Sequence, residues 1–388
     1  MSRNKRICVA TSGRADYGLL LWPMRDIAAA SDLDLQVLVT GSHLEERFGR
    51  TVDQILADGL PVTASVPMAL TADDPVTLAR ASAHCVVGTA EALAALQPDI
   101  LLVLGDRYET LAIVQAAMLT RTPVAHIGGG DVTEGAIDEG IRHAITKLAH
   151  IHLATHRGAA GRIVQMGESP DRVHIVGSPA LDNLRRIKPL ERNVLERRLG
   201  RSLASRNLLV TFHPVTTLPD LGLCELSALL ESLSTLPEDI HLWFTRANAD
   251  PGGVTMNERL ERFVRERANT SLHDALGPLY LPLLAACDAV VGNSSSGLGE
   301  APSVRTPTVD IGFRQQGRLA GPSVIQCAAR PDQIEPALYR ALAGDVPGFD
   351  NPYGDGHSSA RIVQVLRTAP PQDILLRKRF FDGDSQHG

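Results

Sequence analysis

Residues 98–131 read PDILLVLGDRYETLAIVQAAMLTRTPVAHIGGGD. A short apolar run, a Gly-Asp pair, a helix-length segment, a second apolar run and three glycines follow one another. Neither apolar run alternates with polar residues, which is the pattern of a strand covered on both faces. Strand, helix and strand in that order make a parallel crossover unit. The same rhythm extends outward in both directions. Upstream, RICVAT and LDLQVLVTG read as strands, with a helix from about Tyr17 and a helical segment LARASAHCVVGTAEALAAL. Downstream, IHLATH and RVHIVG complete a first set of strands.

After Gly177 the chain turns polar and strongly charged, in SPALDNLRRIKPLERNVLERRLGRSLASR, which reads as a connection and a solvated helix. A second set of strands is then expected at NLLVTF, IHLWFT, GPLYL, CDAVVGN, TPTVDIG and SVIQC. The fold class is α/β, with two Rossmann-like domains facing a cleft, the first at residues 1–180 and the second at 181–365. A length of 388 residues fits two cores better than one.

The formal charge of −6 gives no reason to expect nucleic acid or an anionic membrane as partner, so any bound anion must be held by local groups. Five cysteines without a CxxC pair, four of them beside or within apolar runs, read as buried free thiols. The basic start is followed by an apolar run of only about five residues, which reads as a first strand and not a signal peptide. No run reaches membrane length. A cytoplasmic protein is expected.

In open α/β sheets, ligands bind beyond the carboxyl ends of the strands. The first strand is followed by SGRADYG, where Asp16 is a plausible helix N-cap. Arg14 opposes the helix dipole there unless an anion faces both. Asp106 follows a later strand and could either cap a helix or do chemistry. In HIGGGDVTEGAIDEGIRH, residues 126–143, the glycines are expected to let backbone pass close to a ligand. A helix beginning near Thr133 places Glu134, Asp138 and Arg142 on one stripe and Ile137, Ile141 and Leu148 on a buried one. In the second half, FHPVT brings His213, FTRANAD brings Arg246 and Asn248, and VVGNSSSGLGE brings Gly292, Ser294, Ser295, Ser296 and Glu300. Serines opening a helix offer hydroxyls and free N–H groups to a phosphate, and Glu300 a carboxylate to a ribose. No P-loop lysine and no GxGxxG after the first strand speak against a nucleoside triphosphate or NAD.

The motifs GDRYETLAIVQAA, AHIGGGDVTEGAIDEGIRHAITKLAHIHLATH, VGSPALDNL, FHPVT, NAD, GNSSSGLGEAPS and RQQGR stand in order across nearly the whole chain. Together they resemble the hydrolysing UDP-N-acetylglucosamine 2-epimerases of sialic acid biosynthesis, and relatives that act on UDP-N,N'-diacetylbacillosamine on the way to legionaminic acid. The resemblance implies a glycosyltransferase-B-like fold whose second domain binds UDP, with residues 366–388, including QDILLRKRFFD, returning to the first domain. It also implies a homo-oligomer (a dimer or tetramer) and a UDP-sugar substrate; no cofactor is expected, and no metal, since protein groups can hold the diphosphate and no His/Cys/carboxylate cluster stands at ligand spacing. By matching motifs, Asp106, Asp131, Glu134, Asp138 and His213 are the catalytic candidates. Arg14, Arg107, Arg142, Arg246, Asn248, Gly292, Ser294, Ser295, Ser296 and Glu300 are the substrate-binding ones. The first loop, Ser12-Gly13-Arg14-Ala15-Asp16, matches the hydrolysing branch and not the Gly-Thr-Arg-Pro-Glu of the non-hydrolysing one. Asp131 stands where many relatives have glutamate, and Phe313 replaces a more usual polar residue. A UDP-sugar glycosyltransferase is the rival reading, but it needs fewer acid/base groups than this first half supplies.

Overall fold

Lys5–Thr11 (β1) sends alternate residues into two separate cores. Ile7 and Val9 join one apolar cluster, and Cys8 and Ala10 join the other. A strand covered on both faces behaves in this way, and it explains why its sequence does not alternate in polarity. The computed structural model describes residues 3–46, 49–71, 74–132, 137–186, 190–215, 218–247, 252–274 and 276–383.

Two units emerge, residues 1–183 with 353–388 and residues 184–352. The first carries β1, Leu33–Thr40 (β2), Ala64–Val66 (β3), Ile100–Leu104 (β4), Val124–Ile127 (β5), Ile151–Ala154 (β6) and Val173–Ile175 (β7). All pair in parallel, in the order β3-β2-β1-β4-β5-β6-β7. The second carries Arg206–Thr211 (β8), Ile240–Thr245 (β9), Thr270–His273 (β10), Ala289–Gly292 (β11), Thr308–Ile311 (β12) and Val324–Cys327 (β13). Its order, β10-β9-β8-β11-β12-β13, repeats that of the first, again all parallel. Both sheets therefore reverse direction at one place, between β1 and β4 and between β8 and β11. That switch point is where the loops leaving adjacent strands diverge and open a crevice.

In the first unit the tail from Tyr353 onward packs on the sheet and its helices. Leu375 is buried in the β1 core, and Lys378 Nζ donates to the carbonyls of Lys147 and Ala149 at 2.5 and 2.7 Å. Lys378 thereby supplies donors and a cation to the carboxyl end of the helix Ile137–Leu148.

The structure corrects three expectations. GPLYL is not a strand: Gly277–Leu279 is a 3-10 turn leading into the helix Tyr280–Ala286, and the strand of that region is β10, TSLH. A short apolar run does not by itself separate strand from helix, and Pro278 at the start of the turn favours the helical course. The first helix starts at Arg14, not near Tyr17, with Gly13 as its N-cap. Asp16 is the third helical residue, reaching back to accept the Gly13 N–H at 2.8 Å. Finally, Ile137 is exposed, while Arg142, Ile145 and Thr146 are buried, so the helix Ile137–Leu148 turns a more polar face inward than its apolar stripe suggests. Of the five free cysteines, Cys8, Cys85 and Cys287 are buried, Cys327 is partly so and Cys224 is exposed.

Candidate active site

Beyond β1, the Asp16 carboxylate accepts the Ser12 N–H at 2.7 Å, the Ser12 hydroxyl at 3.2 Å and the Tyr17 N–H at 2.9 Å, besides that of Gly13. This ties the loop into one rigid turn and leaves Arg14 exposed at the first helical position. Beyond β4, the other strand of the switch point, stands Asp106. Its carboxylate does not cap the helix Tyr108–Leu119, whose N-cap is Arg107; it pairs with the Arg142 guanidinium.

Arg142 is the hub of this unit. It is 3% exposed, and beside Asp106 it donates to Glu139 Oε2 and to the Asp131 carbonyl, both at 2.8 Å. Glu139 in turn faces His143 Nε2 at 3.0 Å. A buried guanidinium with acceptors on several sides is held much more firmly than a surface ion pair. Asp138 lies one turn before Arg142, whose charge acts on its carboxyl against burial. Burial, and after it the charge of Asp106, raises the Asp138 carboxyl above its ordinary value.

Asp131 is set by a second group of contacts. Thr155 Oγ1 donates to Asp131 Oδ1 at 2.8 Å, and His156 Nε2 faces the same oxygen at 3.3 Å. His156 Nδ1 accepts the Ala159 N–H at 3.2 Å, capping the helix Arg157–Gln165, so the neutral ring carries its proton on Nε2, toward Asp131. Gly130 serves this packing: with its φ of 74°, a Cβ there would sit 2.2 Å from the Ala159 carbonyl oxygen. His126, fully buried and pushed down to about 4 by that burial, sits 2.8 Å from the Gly105 carbonyl and braces the turn before Asp106. Arg107 gives two N–H groups to the buried Glu109, at 3.0 and 2.7 Å.

In the second unit, His213 follows β8 and Asn293 follows β11. The fully buried Asn293 side chain accepts the His213 N–H at 2.7 Å and donates to the His213 carbonyl at 2.9 Å. Its own carbonyl accepts from Arg314 at 3.0 Å and from Gln315 at 2.8 Å. One asparagine thus clamps both strands of the switch point and the loop after β12. Gly292 adopts φ of 134° and lies so close to β8 that a Cβ would fall 1.9 Å from the Thr211 carbonyl oxygen. The serine turn opens a helix of only four residues, Ser296–Gly299, followed by a 3-10 turn at Ala301–Val304. Ser295 is exposed, and Ser294 Oγ accepts the Ser296 N–H at 3.4 Å. Burial raises both Glu300 and its neighbour Tyr280, the latter to about 12. Arg246 lies between Glu261, at 2.7 Å, and Asp274, so its guanidinium is shared with protein carboxylates.

Asp106, Asp131, Asp138 and Arg142 are therefore gathered around one switch point, with Arg14 and Arg107 at the starts of the helices that follow β1 and β4. His213, Gly292, Ser294, Ser295, Ser296 and Glu300 are placed at or after the other. Glu134 and Asn248 lie outside the described residues. Glu139, Thr155, His156 and Asn293 are not marked by the sequence, because a single polar residue, on a helix like Glu139 or at a loop like the others, gives no periodic signal. Asn293 sat within the quoted GNSSSGLGE motif and was the one most open to discovery. Among the described residues, no cluster of His, Cys, Asp or Glu could hold a metal ion, and no helix is long and apolar enough to cross a membrane.

Two doubly wound parallel units, each with polar groups gathered at its switch point, define a glycosyltransferase-B-like α/β protein. The same fold occurs in the UDP-GlcNAc 2-epimerase from Neisseria meningitidis bound to UDP-GlcNAc, with a TM-score of 0.73 and 17% identity, covering 93% of this chain and 99% of that one. The family model for UDP-N-acetylglucosamine 2-epimerase matches residues 25–367, and the chain belongs to that family. It is 36% identical over 327 residues to a GDP/UDP-N,N'-diacetylbacillosamine 2-epimerase (hydrolyzing) of Campylobacter jejuni, 84% of each chain. It is 32% identical over 374 residues to the UDP-N,N'-diacetylbacillosamine 2-epimerase (hydrolyzing) of Legionella pneumophila, 96% of this chain and 98% of that one.

Proposed function

We propose that the protein is a hydrolysing UDP-sugar 2-epimerase: it releases UDP from a UDP-2-acetamido sugar and yields the free sugar inverted at C2. The observation that carries this reading is the grouping of Asp106, Asp131 and Asp138 around the buried Arg142. Hydrogen at C2 of such a sugar is not acidic, because no carbonyl adjoins that carbon. It can leave as a proton only while the C1–O bond to UDP breaks and positive charge grows on the ring. Both bonding pairs are accounted for: the C1–O pair departs with UDP, and the C2–H pair becomes the double bond of a glycal. Water then adds its hydroxyl at C1, and a proton returns to C2 on the opposite face.

Two proton transfers on opposite faces call for carboxylates whose environments differ. Asp131 faces the Thr155 hydroxyl and His156, whereas Asp138, raised by burial and by Asp106, suits the group that carries a proton. Asp106 and Glu134 complete the acid/base set, and Arg14, Arg107 and Arg142 provide positive charge for the substrate. In the second unit, His213 and the turn Gly292–Ser296 would hold the departing diphosphate, with Glu300 on the ribose and Arg246 and Asn248 beside the nucleotide. No cofactor is needed for these steps.

Between the two sugars, the Campylobacter and Legionella relatives favour UDP-N,N'-diacetylbacillosamine over UDP-N-acetylglucosamine. A homo-oligomer working in the cytoplasm fits this reading, and free thiols throughout are what a reducing compartment maintains. Incubation with each UDP-sugar in D2O tests the reading. The expected products are UDP and a free C2-inverted sugar carrying one deuterium at C2. A product still attached to UDP, or one without deuterium at C2, would overturn it.

A further inference from the structure

A cavity of about 150 Å³ lies at the amino ends of β6 and β7, the end of the first sheet opposite the candidate active site. Its walls come from His150 just before β6, from the 3-10 turn Pro170–Arg172 before β7, and from the tail between residues 375 and 379. Four lining side chains are cationic, Arg172, Arg377, Lys378 and Arg379, and two are carboxylates, Glu168 and Asp171. In a chain of formal charge −6 this is a local excess of the opposite sign. The carboxylates are already engaged. Glu168 accepts from Lys147 at 2.5 Å and from Lys378 at 2.7 Å, and Asp171 lies 3.8 Å from Arg172 Nε. Lys378 uses its remaining donors on the carbonyls of Lys147 and Ala149. Arg377 and Arg379 differ: both are exposed, and neither guanidinium has a protein partner among the described residues. The cavity also offers a neutral donor. His150 Nδ1 accepts the Val124 N–H at 3.2 Å, so the neutral ring carries its proton on Nε2. Burial, and after it the charge of Lys378, pushes that ring down to about 4.

We infer that this cavity binds a phosphate group, held by the guanidinium groups of Arg377 and Arg379 and the Nε2–H of His150, with Arg172 as a third cation. Guanidinium forks match the paired oxygens of a phosphate, and donors from three separate segments suit a tetrahedral oxyanion better than a flat carboxylate. At about 30 Å³ for each water molecule, the space holds a phosphate group and little more, which excludes a nucleotide. Ligands of the reaction gather beyond the carboxyl ends of strands, whereas this cavity lies at their amino ends. It is therefore separate from the groups assigned to catalysis, and the inference rests on nothing in that assignment. A phosphate seated there would bridge the tail to the turn before β7. That bridge would reinforce the attachment by which Lys378 holds the helix Ile137–Leu148, whose other end carries Asp138 and Arg142.

Isothermal calorimetry with sodium phosphate tests it, at constant ionic strength in chloride and with saturating UDP to fill the diphosphate site. The parent should bind one equivalent. The R377Q/R379Q variant, shown to be folded by circular dichroism, should bind at least tenfold more weakly. R197Q/R198Q removes the same charge from exposed positions of the helix Arg192–Leu199 and should bind as the parent does. So should the variant with Ser294 and Ser295 replaced by alanine. Methyl phosphate identifies the source: equal affinity marks a site open to phosphate esters, and weaker binding marks a site for the free anion. A parent that binds no phosphate, or an R377Q/R379Q variant that binds it undiminished, would overturn the inference. Equal weakening in R197Q/R198Q would also overturn it, as the sign of a general field. Loss in the serine variant would do the same, by placing the phosphate in the diphosphate site.

Discussion

Asn293→Ala removes the clamp between the two strands of the second unit's switch point. The wild-type side chain makes two hydrogen bonds to the His213 backbone, at 2.7 and 2.9 Å, and alanine makes neither. Each buried backbone group left without a partner costs about 1–3 kcal/mol. Both would give roughly 2–6 kcal/mol, but His213 is only partly buried, and water can reach part of what is lost. The lower portion of the range, about 2–3 kcal/mol, is therefore expected, which in a unit of this size lowers Tm by about 4–12 °C. His213 would lose its fixed position as well, so UDP affinity by calorimetry should fall about tenfold and kcat/KM further still. Asn293→Asp keeps the acceptor toward the His213 N–H but sets a carboxylate oxygen against its carbonyl. Protonation restores a donor there, so this variant should recover stability as the pH falls, which the alanine variant cannot do. If Asn293→Ala melts within 1 °C of the parent and binds UDP within twofold, the clamp does not hold His213 and the reasoning fails.

Asp106→Asn should leave UDP affinity within a few-fold and lower turnover by about two orders of magnitude or more, the loss typical of an acid/base group; a folded variant less than tenfold slower would make Asp106 a structural partner of Arg142 only. Replacing Ser294 and Ser295 together by alanine should weaken UDP binding at least tenfold while leaving some, because the backbone donors persist; unchanged calorimetric affinity would place the diphosphate elsewhere. His213→Ala should depress kcat more than UDP affinity, and the reverse ratio would make it a ground-state binder. Burial alone would raise Glu168, yet hydrogen bonds from His152, Lys147 and Lys378 hold its carboxyl down at about 2. Its folded-state pKa is thus below the ordinary value, so its contribution is complete above about pH 4.5 and is lost as the pH falls toward 2. Glu168→Gln should therefore flatten the stability profile across that window and destabilise the protein by about 3–5 kcal/mol at neutral pH. Parallel acid-unfolding curves for the two proteins would refute this.

Much of the molecule was legible from one dimension. Continuous apolar runs separated by helical segments fix a doubly wound architecture, because strands buried on both faces cannot alternate in polarity, and β1, β4, β8 and β11 all obey that rule. The rule that ligands gather after strand carboxyl ends then led to Asp106, Asp131, His213 and the serine turn without any coordinates. It failed where local pattern underdetermines structure. GPLYL is too short to distinguish strand from helix, and Ile137 continues an apolar spacing beyond the point where the core ends. Only the tertiary structure could decide partnership. That Asp106 pairs with Arg142 and not with the helix it precedes depends on two elements 36 residues apart meeting in space. The same holds for Asn293 and His213, 80 residues apart, and for the glycines at 130 and 292. Their lack of a side chain answers to the carbonyls of Ala159 and Thr211, neighbours that no local sequence spacing encodes. Periodicity records which face of an element is buried, but it holds no record of what lies against that face; that is set when the strands take their order in the sheet.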